Sequence, residues 1–445
     1  MHVSTKGALL ATALAGAIIT AAGPAGAEVQ ASGDPALYWN QVLASGLTGS
    51  PTVTSRSYAM VAAGIHDAVN ATTGQPDFSF VSGVATVGGD TRAATAVAAR
   101  DLLVAVNPAK TAIYNAALAD SLALVPDGAA KTDGMATGAA IASAMLTQRA
   151  NDGTTAASNY APTGNLGDWA PTPPANLGAA VPQWADSQTW VLATNDQFRP
   201  AAPPDLGSAA YAVAYNQVLE IGSATSAIRT SDQSAAANFW VAAAGTAPWL
   251  QAGLGVAETA GLSTIENARL FALISVSVAD AVVGVWDAKY EYDFWRPVTA
   301  IRAGDLDGNA ATVGDLLWTP FITTPNHPSY ISGHSGVAGA ASTILASYFG
   351  DAQSFCITAG GLNRCWASYS EAALDAANSR LWGGIHWSFD NEAGLIQGRQ
   401  IGQYILSSAA FDAVPEPSAW AMMIIGFGAA GAVLRRRRRL AAALA

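Results

Sequence analysis

Ala-rich segments with apolar residues at three- and four-residue spacing recur through most of this chain, and that recurrence restricts it to a helical fold. They are Ser55 to Ala71, Thr91 to Val106, Thr111 to Leu122, Thr132 to Ala150, Ser231 to Ala244, Ser263 to Tyr290, Ser335 to Phe349, Ser370 to Leu381 and Glu392 to Leu406. Many open on Ser or Thr, whose side chains cap helix N-termini. No segment shows the regular alternation of a half-buried strand. Gly and Pro gather between the helical segments. Tyr160 to Ser208 carries Pro171-Thr172-Pro173-Pro174, Pro182, Pro200 and Pro203-Pro204. It reads as an ordered connector wrapped on the surface. The expectation is an all-α chain.

An internal echo divides it. Arg56, Ala59 and Asp67-Ala68-Val69 match Arg269, Ala272 and Asp280-Ala281-Val282 at a constant offset. Two related helical bundles follow, roughly 34–160 and 209–408, with the charged motifs only in the second. His66 of the first repeat then reads as a packed core residue. The domain boundaries expected are 1–27, 28–208 for the first bundle and connector, 209–413 for the second bundle, and 414–445.

The two ends read as addresses. Lys6 precedes a small apolar run, Ala8 to Ala22, and Ala25-Gly26-Ala27 supplies a signal-peptidase pattern, so cleavage is expected after Ala27. At the other end, Val414-Pro415-Glu416-Pro417 leads to an apolar stretch from Trp420 to Leu434 and then Arg435 to Arg439. The stretch is short for a bilayer, which wants roughly 20 residues. The arginines would hold it cytoplasmic side in. This end resembles the PEP-CTERM sorting signal of Gram-negative bacteria, which exosortases process at the envelope; a permanent tail anchor is the alternative. The resemblance implies export to the periplasm, cell surface or extracellular matrix, with membrane contact only through the C-terminal signal before processing.

The whole chain has 21 Lys and Arg against 32 Asp and Glu. Removing Lys6 and the five terminal arginines leaves 15 basic residues, and removing Glu416 leaves 31 acidic ones, so the body is near −16. Such a surface disfavours nucleic acid and anionic lipid, and any anion site must be locally positive against it. The two cysteines, Cys356 and Cys365, are expected to pair in an exported chain. Closing so short a loop stabilises by on the order of 3 kcal/mol. Two free buried thiols are the alternative. No His or further Cys lies beside them at metal-ligand spacing.

Cations are scarce, yet three fall within short motifs that together describe a pocket for a tetrahedral oxyanion. Lys289 and Arg296 are seven apart, on one face if the helix persists. Pro297 favours a helix end just before it, aiming Arg296 into a loop-lined cavity. Arg380 adds a second guanidinium fork. Ser332 can donate a hydroxyl hydrogen bond, and Gly333 permits close backbone approach. A helix starting near Ser335 would turn free N–H groups toward an anion. His386 and Asp390, at i and i+4, are expected as neighbours on one helical face. Asp390 can orient the imidazole, leaving its other nitrogen to attack phosphorus or ligate a metal. His334 is left for general acid–base work.

These motifs, Lys289-x6-Arg296-Pro297, Ser332-Gly333-His334 and Ser379-Arg380-x5-His386-x3-Asp390, resemble the signature shared by vanadium-dependent haloperoxidases and type 2 phosphatidic acid phosphatases. Trp286, the segment Ser379 to Asp390, Trp295 to Arg302, and Arg199-Pro200 with Pro203-Pro204-Asp205-Leu206 are similar to the bacterial haloperoxidase branch. The resemblance covers most of the mature chain. It implies two four-helix bundles with the active site in the C-terminal one. It implies a vanadate cofactor held axially by His386, with Lys289, Arg296, Ser332, Gly333 and Arg380 on its oxygens and His334 as acid–base. Vanadate would bind hydrogen peroxide as a Lewis acid without redox cycling, and halide would attack one peroxide oxygen and leave as hypohalous acid, which meets a small organic acceptor. Ile331 departs from the pattern, which usually has Pro there. His327 sits at a position that resembles a halide-tuning site, Phe in chloride-oxidising enzymes and His in bromide-oxidising ones; together with Trp286 it leads to an expectation of bromide or iodide.

Two other readings use the same residues differently. A secreted phosphatase would take His386 as nucleophile, with His334 protonating the leaving group. Lipid phosphatases of the membrane need several spans, and none is evident in the mature body. A non-enzymatic surface or matrix protein would explain the sorting signal but not the charged motifs.

Overall fold

The computed structural model describes residues 31 to 408, apart from 32, 48, 75–77 and 85–87. The expected leader, 1–27 with its cleavage after Ala27, and the sorting segment 414–445 lie outside the described residues.

Each periodic segment forms a helix. They are α2 (Pro51–Thr73), α3 (Thr91–Val106), α4 (Thr111–Ala123), α5 (Ala129–Gln148), α7 (Ser231–Ala242), α9 (Thr264–Tyr292), α11 (Gly333–Phe349), α12 (Tyr369–Trp382) and α13 (Ser388–Ser407). Four more were not anticipated: α1 (Pro35–Gly46), α6 (Ala209–Ile221), α8 (Ala247–Ala260) and the short α10 (Pro297–Arg302). In α8, Pro248, Gly253 and Gly255 read as breakers. Pro248 falls in the first turn, where its missing N–H costs nothing.

Local chemistry sets the starts. Asp34 and Asp90 accept from Leu37 and Ala93 amides at 2.8 and 2.9 Å. Ser263 with Glu266 and Thr230 with Gln233 form reciprocal capping boxes. Each cap is worth about 1 kcal/mol.

α9 is the central rod. It packs on α2, α11, α13, α1 and α8. α2, α3 and α5 pack together, as do α11, α12 and α13. α9 has the length and apolarity to cross a bilayer, a match the sequence reading did not find, but almost all of it is buried inside the protein. Where α11 meets α13 the backbones touch: a Cβ at Gly394 would fall 2.6 Å from the Ser332 carbonyl oxygen. This contact fixes the start of α11 against the first turns of α13.

A short antiparallel hairpin, β1 (Phe355–Ala359) with β2 (Leu362–Trp366), corrects the expectation of no strands. Cys356 and Cys365 are directly opposite in its register and are joined by a disulfide.

The Pro-rich connector does more than wrap the surface. It buries Trp169 and Trp184. Its amides at Trp190, Val191 and Leu192 donate to the buried Asp280 carboxylate at 2.6–3.1 Å. Arg199 forks onto Asp287 with two 2.7 Å bonds. The other member of the internal echo is built alike: Asp67 accepts from the Phe80 and Val81 amides at 3.1 and 2.8 Å. His66 is fully buried and stacks on Phe78.

Candidate active site

The expected residues converge, though two of the local reasons for it were wrong. Lys289 lies in the last turn of α9, but the helix ends at Tyr292 and Asp293 turns left-handed at φ 46°. Arg296 therefore does not share a helical face with Lys289. It stands in extended conformation as the N-cap of α10, with Pro297 opening the new helix. Likewise His386 precedes α13 rather than lying on it. Asp390 is at the third position of that helix, where it accepts from the Trp387 amide at 3.2 Å and from His386 Nδ1 at 2.7 Å. The pair meets through an N-terminal cap, not through an i, i+4 stripe.

Lys289 and Arg296 are fully buried and Arg380 nearly so. Lys289 Nζ donates to the Pro328 and Ser329 carbonyls at 2.7 and 2.9 Å. Arg296 donates to the carbonyls of His327 and Ile385, to His327 Nδ1 at 2.9 Å and to His386 Nε2 at 3.0 Å. Arg380 reaches Ser379 Oγ and the Ala237 carbonyl. Among the described residues no carboxylate is in salt-bridge contact with any of the three. Burial holds Arg296 and Arg380 down to about 9, and it pushes Lys289 well below its usual value, with Arg296 acting the same way and Asp390 opposing. Asp390 is raised to about 6 by burial, against its hydrogen bond from Ser329.

All three site histidines are driven toward the neutral form. Burial lowers His386 and His327 well below the usual range, and Arg296 and Lys289 push the same way. His334 is pushed down to about 3 by burial and then by Arg380. The bonds define the tautomers. Asp390 takes the proton on His386 Nδ1, so Nε2 presents a lone pair. His334 Nε2 donates to the Trp240 carbonyl at 2.9 Å, so its Nδ1 is the acceptor.

Ser332 caps α11, accepting from the Ser335 amide at 3.4 Å. The Gly333 and His334 amides fall in the first turn, where no intrahelical acceptor exists. A Cβ on Gly333 would meet nothing closer than 3.8 Å, so packing does not demand the glycine. The peptide bond before Ile331, where the family pattern has Pro, is cis.

A cavity of about 290 Å³ opens over this group. Gly333, His334, Arg380 and His386 line it, with Trp286 and His327 on its wall, ring centroids 5.0 Å apart. Lys289, Arg296, Ser332 and Asp390 sit behind that lining. The Trp286 indole N–H is buried without a partner.

Sequence reasoning missed several contributors. Ser329 donates to Asp390 Oδ2 at 2.5 Å, from within a segment that only His327 had marked. Trp240 supplies only a carbonyl, which no sequence signal encodes. The first half of the chain also reaches the cavity, through Ser50, Pro51 and Thr52 at the start of α2 and Ala180 and Val181 of the connector.

Three buried cations face one buried carboxylate. That surplus fits a multiply charged tetrahedral oxyanion such as vanadate or phosphate. The class defined by the fold and the site is thus an all-α protein with an oxyanion cradle at the end of its central helix. Residues 269–412 match the VCPO second helical-bundle domain, and residues 413–439 match the PEP-CTERM protein-sorting motif. A bacterial vanadium-dependent iodoperoxidase is similar in structure, with TM-score 0.72 and 26% identity, covering 86% of this chain and 97% of that one. A bacterial vanadium-dependent chloroperoxidase shares the fold, with TM-score 0.66 and 15% identity over 82% of this chain and 94% of that one. The vanadium chloroperoxidase of Curvularia inaequalis is 33% identical over 98 residues, 20% of this chain and 15% of that protein's length. Residues 269–412 thus carry a helical-bundle domain of the vanadium chloroperoxidase type, the fold is similar to that of a bacterial vanadium-dependent iodoperoxidase, and the C-terminal end carries a PEP-CTERM sorting motif. That motif is one of export in Gram-negative bacteria.

Proposed function

We propose that the protein is a vanadate-dependent haloperoxidase that oxidises bromide or iodide with hydrogen peroxide, releasing hypohalous acid toward a small organic acceptor. The observation that carries the reading is the unbalanced cation trio at a cavity lined by three neutral histidines. Vanadate, when bound, supplies Lewis acidity that activates peroxide without a change of metal oxidation state. The chain's residues do the rest. Lys289, Arg296 and Arg380 neutralise the anion and favour charge that builds up on its oxygens. Ser332 and the Gly333 amide add neutral donors. His386 would hold the vanadate through the Nε2 lone pair, oriented by Asp390, which Ser329 holds in turn. His334, neutral at working pH, takes a proton from peroxide on Nδ1 and returns one to the departing oxygen. His327, beside Trp286 and bonded to Arg296, sets the polarity of the wall that halide meets. We place the mature protein in the periplasm, at the cell surface or in the extracellular matrix, after exosortase processing.

The experiment is direct. Purified mature protein, with and without vanadate, is assayed for halide oxidation by peroxide and for phosphate-ester hydrolysis. Bromide or iodide oxidation is expected only with vanadate. Phosphate should compete during loading, and the vanadate-free protein should hydrolyse phosphomonoesters slowly, because both anions use one cradle. Equal halide oxidation by chelator-treated, vanadate-free protein would falsify the reading. Hydrolysis alone would move it to a phosphatase with His386 as nucleophile.

A further inference from the structure

The cavity is larger than its anion needs. A tetrahedral oxyanion has the bulk of four or five water-sized groups, roughly 150 Å³ at ~30 Å³ each. About half of the 290 Å³ is left over. Beside Arg380 and the histidines, the lining includes the apolar residues Trp286, Val181, Val282, Pro325, Val337 and Ile385, drawn from both halves of the chain. Peroxide, small and polar, does not need an apolar lining of this extent.

One wall residue is held in an unfavourable conformation. Val181 has φ 41° and ψ 55°, a left-handed conformation that β-branched side chains rarely adopt. Three bonds hold the strap that carries it. The Ala180 amide donates to the Asn326 carbonyl at 2.7 Å, Asn326 Nδ2 to the Gly178 carbonyl at 2.6 Å, and Tyr290 Oη to the Ala180 carbonyl at 2.9 Å. The strap is thereby fastened to the loop that carries His327. Glycine is the residue such a backbone favours. A valine there spends conformational energy to put a branched side chain on the cavity wall.

We infer that the apolar part of the cavity is a binding site for a neutral aromatic molecule of one or two rings, and that Val181 sets its width. This rests on the haloperoxidase reading for its purpose: the bound ring is the halogen acceptor. A ring carbon takes the halogen from hypohalous acid and loses a proton, which leaves with the hydroxyl as water. Trp286, on the cavity lining, offers ring surface for stacking.

The test is binding, read without any halide chemistry. Toluene, indole and carbazole are titrated by calorimetry and by saturation-transfer NMR into vanadate-free protein with phosphate filling the cradle. Wild type should bind toluene and indole saturably and carbazole at least about tenfold more weakly. Val181→Gly should fold with an unchanged or slightly higher Tm and bind carbazole at least about tenfold better than wild type. Val181→Phe should lose indole. Absence of saturable indole binding by wild type overturns the inference, as do Val181→Gly affinities within about twofold of wild type for all three probes. A protein that binds indole but never oxidises halide keeps this site and loses the haloperoxidase reading. An active enzyme with no aromatic binding does the reverse.

Discussion

The two long central helices, α2 and α9, carry the same buried device and lead to different chemistry. On each, an aspartate at the same repeat position collects backbone amides from a loop: Asp67 takes two and Asp280 three. Beyond that the halves part. In the first, Arg56 meets Asp152, and Arg149 is held over the Trp190 ring at 3.6 Å near Asp152 and Asp280. Arg56 there is paired with a carboxylate in a salt bridge, and Arg149 also donates to the Gln188 and Thr189 carbonyls. In the second, Lys289, Arg296 and Arg380 are bonded to carbonyls, a serine and imidazoles. A buried charge without a partner is costly. A scaffold that keeps three of them together is built to receive an anion.

The largest expected effect breaks that asymmetry at its centre. His386→Ala should lower vanadate affinity by about 100-fold or more, because it removes the ligand and not merely a partner of one. His334→Ala should keep binding and lose peroxide turnover by roughly 10²–10⁴-fold. Titration calorimetry and steady-state turnover on the two variants separate the roles. Tight vanadate binding by His386→Ala would remove the axial-ligand assignment.

Next in size is the shared device. Asp280→Ala leaves three amides without their acceptor at about 1–3 kcal/mol each, partly recovered by water, so we expect a loss of about 3–5 kcal/mol. Asp67→Ala, with two amides, should cost about 2–3 kcal/mol. Urea unfolding measures both. Equal losses would mean that the loops, not the amide count, decide the cost.

The site's geometry was legible from motif spacing only in part. Residue types and order brought Lys289, Arg296, Ser332, Gly333, His334, Arg380, His386 and Asp390 into one cluster. The paths differ, since Asp293 and Pro297 break the helix that was to carry Arg296, and a helix start that caps at Asp390 replaces a stripe. Both are turn geometries, which periodicity does not report. The cavity wall was out of reach for a different cause. Val181 and Thr52 lie far from the motifs in sequence, and only the packing of α2 on α9 and the strap over Asn326 bring them in. The hairpin was hidden because its strands are five residues each, too short to show alternation.

A smaller effect follows from titration. His334 is lowered to about 3 in the folded protein, whereas the unfolded ring titrates near 6.5. Between those values the unfolded state binds the extra proton. Stability from this group is complete above pH ~6.5 and falls as pH drops, by up to ~1.4 kcal/mol per pH unit. Asp280, raised to about 6 by burial, acts oppositely: its folded form holds a proton that the unfolded one releases, so its contribution declines as pH rises from ~4 to 6. His334→Gln should therefore flatten the fall of Tm below pH 6.5. An identical acid limb in the variant would show that this ring is not neutral in the fold.

The smallest expected effect is on halide choice, and it contrasts the two neighbours on the cavity wall. Trp286 is apolar across most of its face, whereas His327 brings a polar ring whose Nδ1 accepts from Arg296 at 2.9 Å. That bond spends one guanidinium donor on the protein and fixes the ring beside the cradle. Burial and the cations Lys289 and Arg296 keep it neutral, so it offers hydrogen bonding without a charge to attract halide. A phenyl ring in its place would free the Arg296 donor and dry the wall, which favours a smaller, harder-to-oxidise anion. Wild type should then oxidise bromide and iodide with little chloride turnover, and His327→Phe should raise the chloride-to-bromide kcat/KM ratio by roughly tenfold, about 1.4 kcal/mol in transition-state terms. Steady-state assays with each halide from mildly acidic to neutral pH decide the matter. Chloride turnover by wild type comparable to bromide would overturn the expectation, and an unchanged profile in His327→Phe would leave His327 as a brace for Arg296 alone.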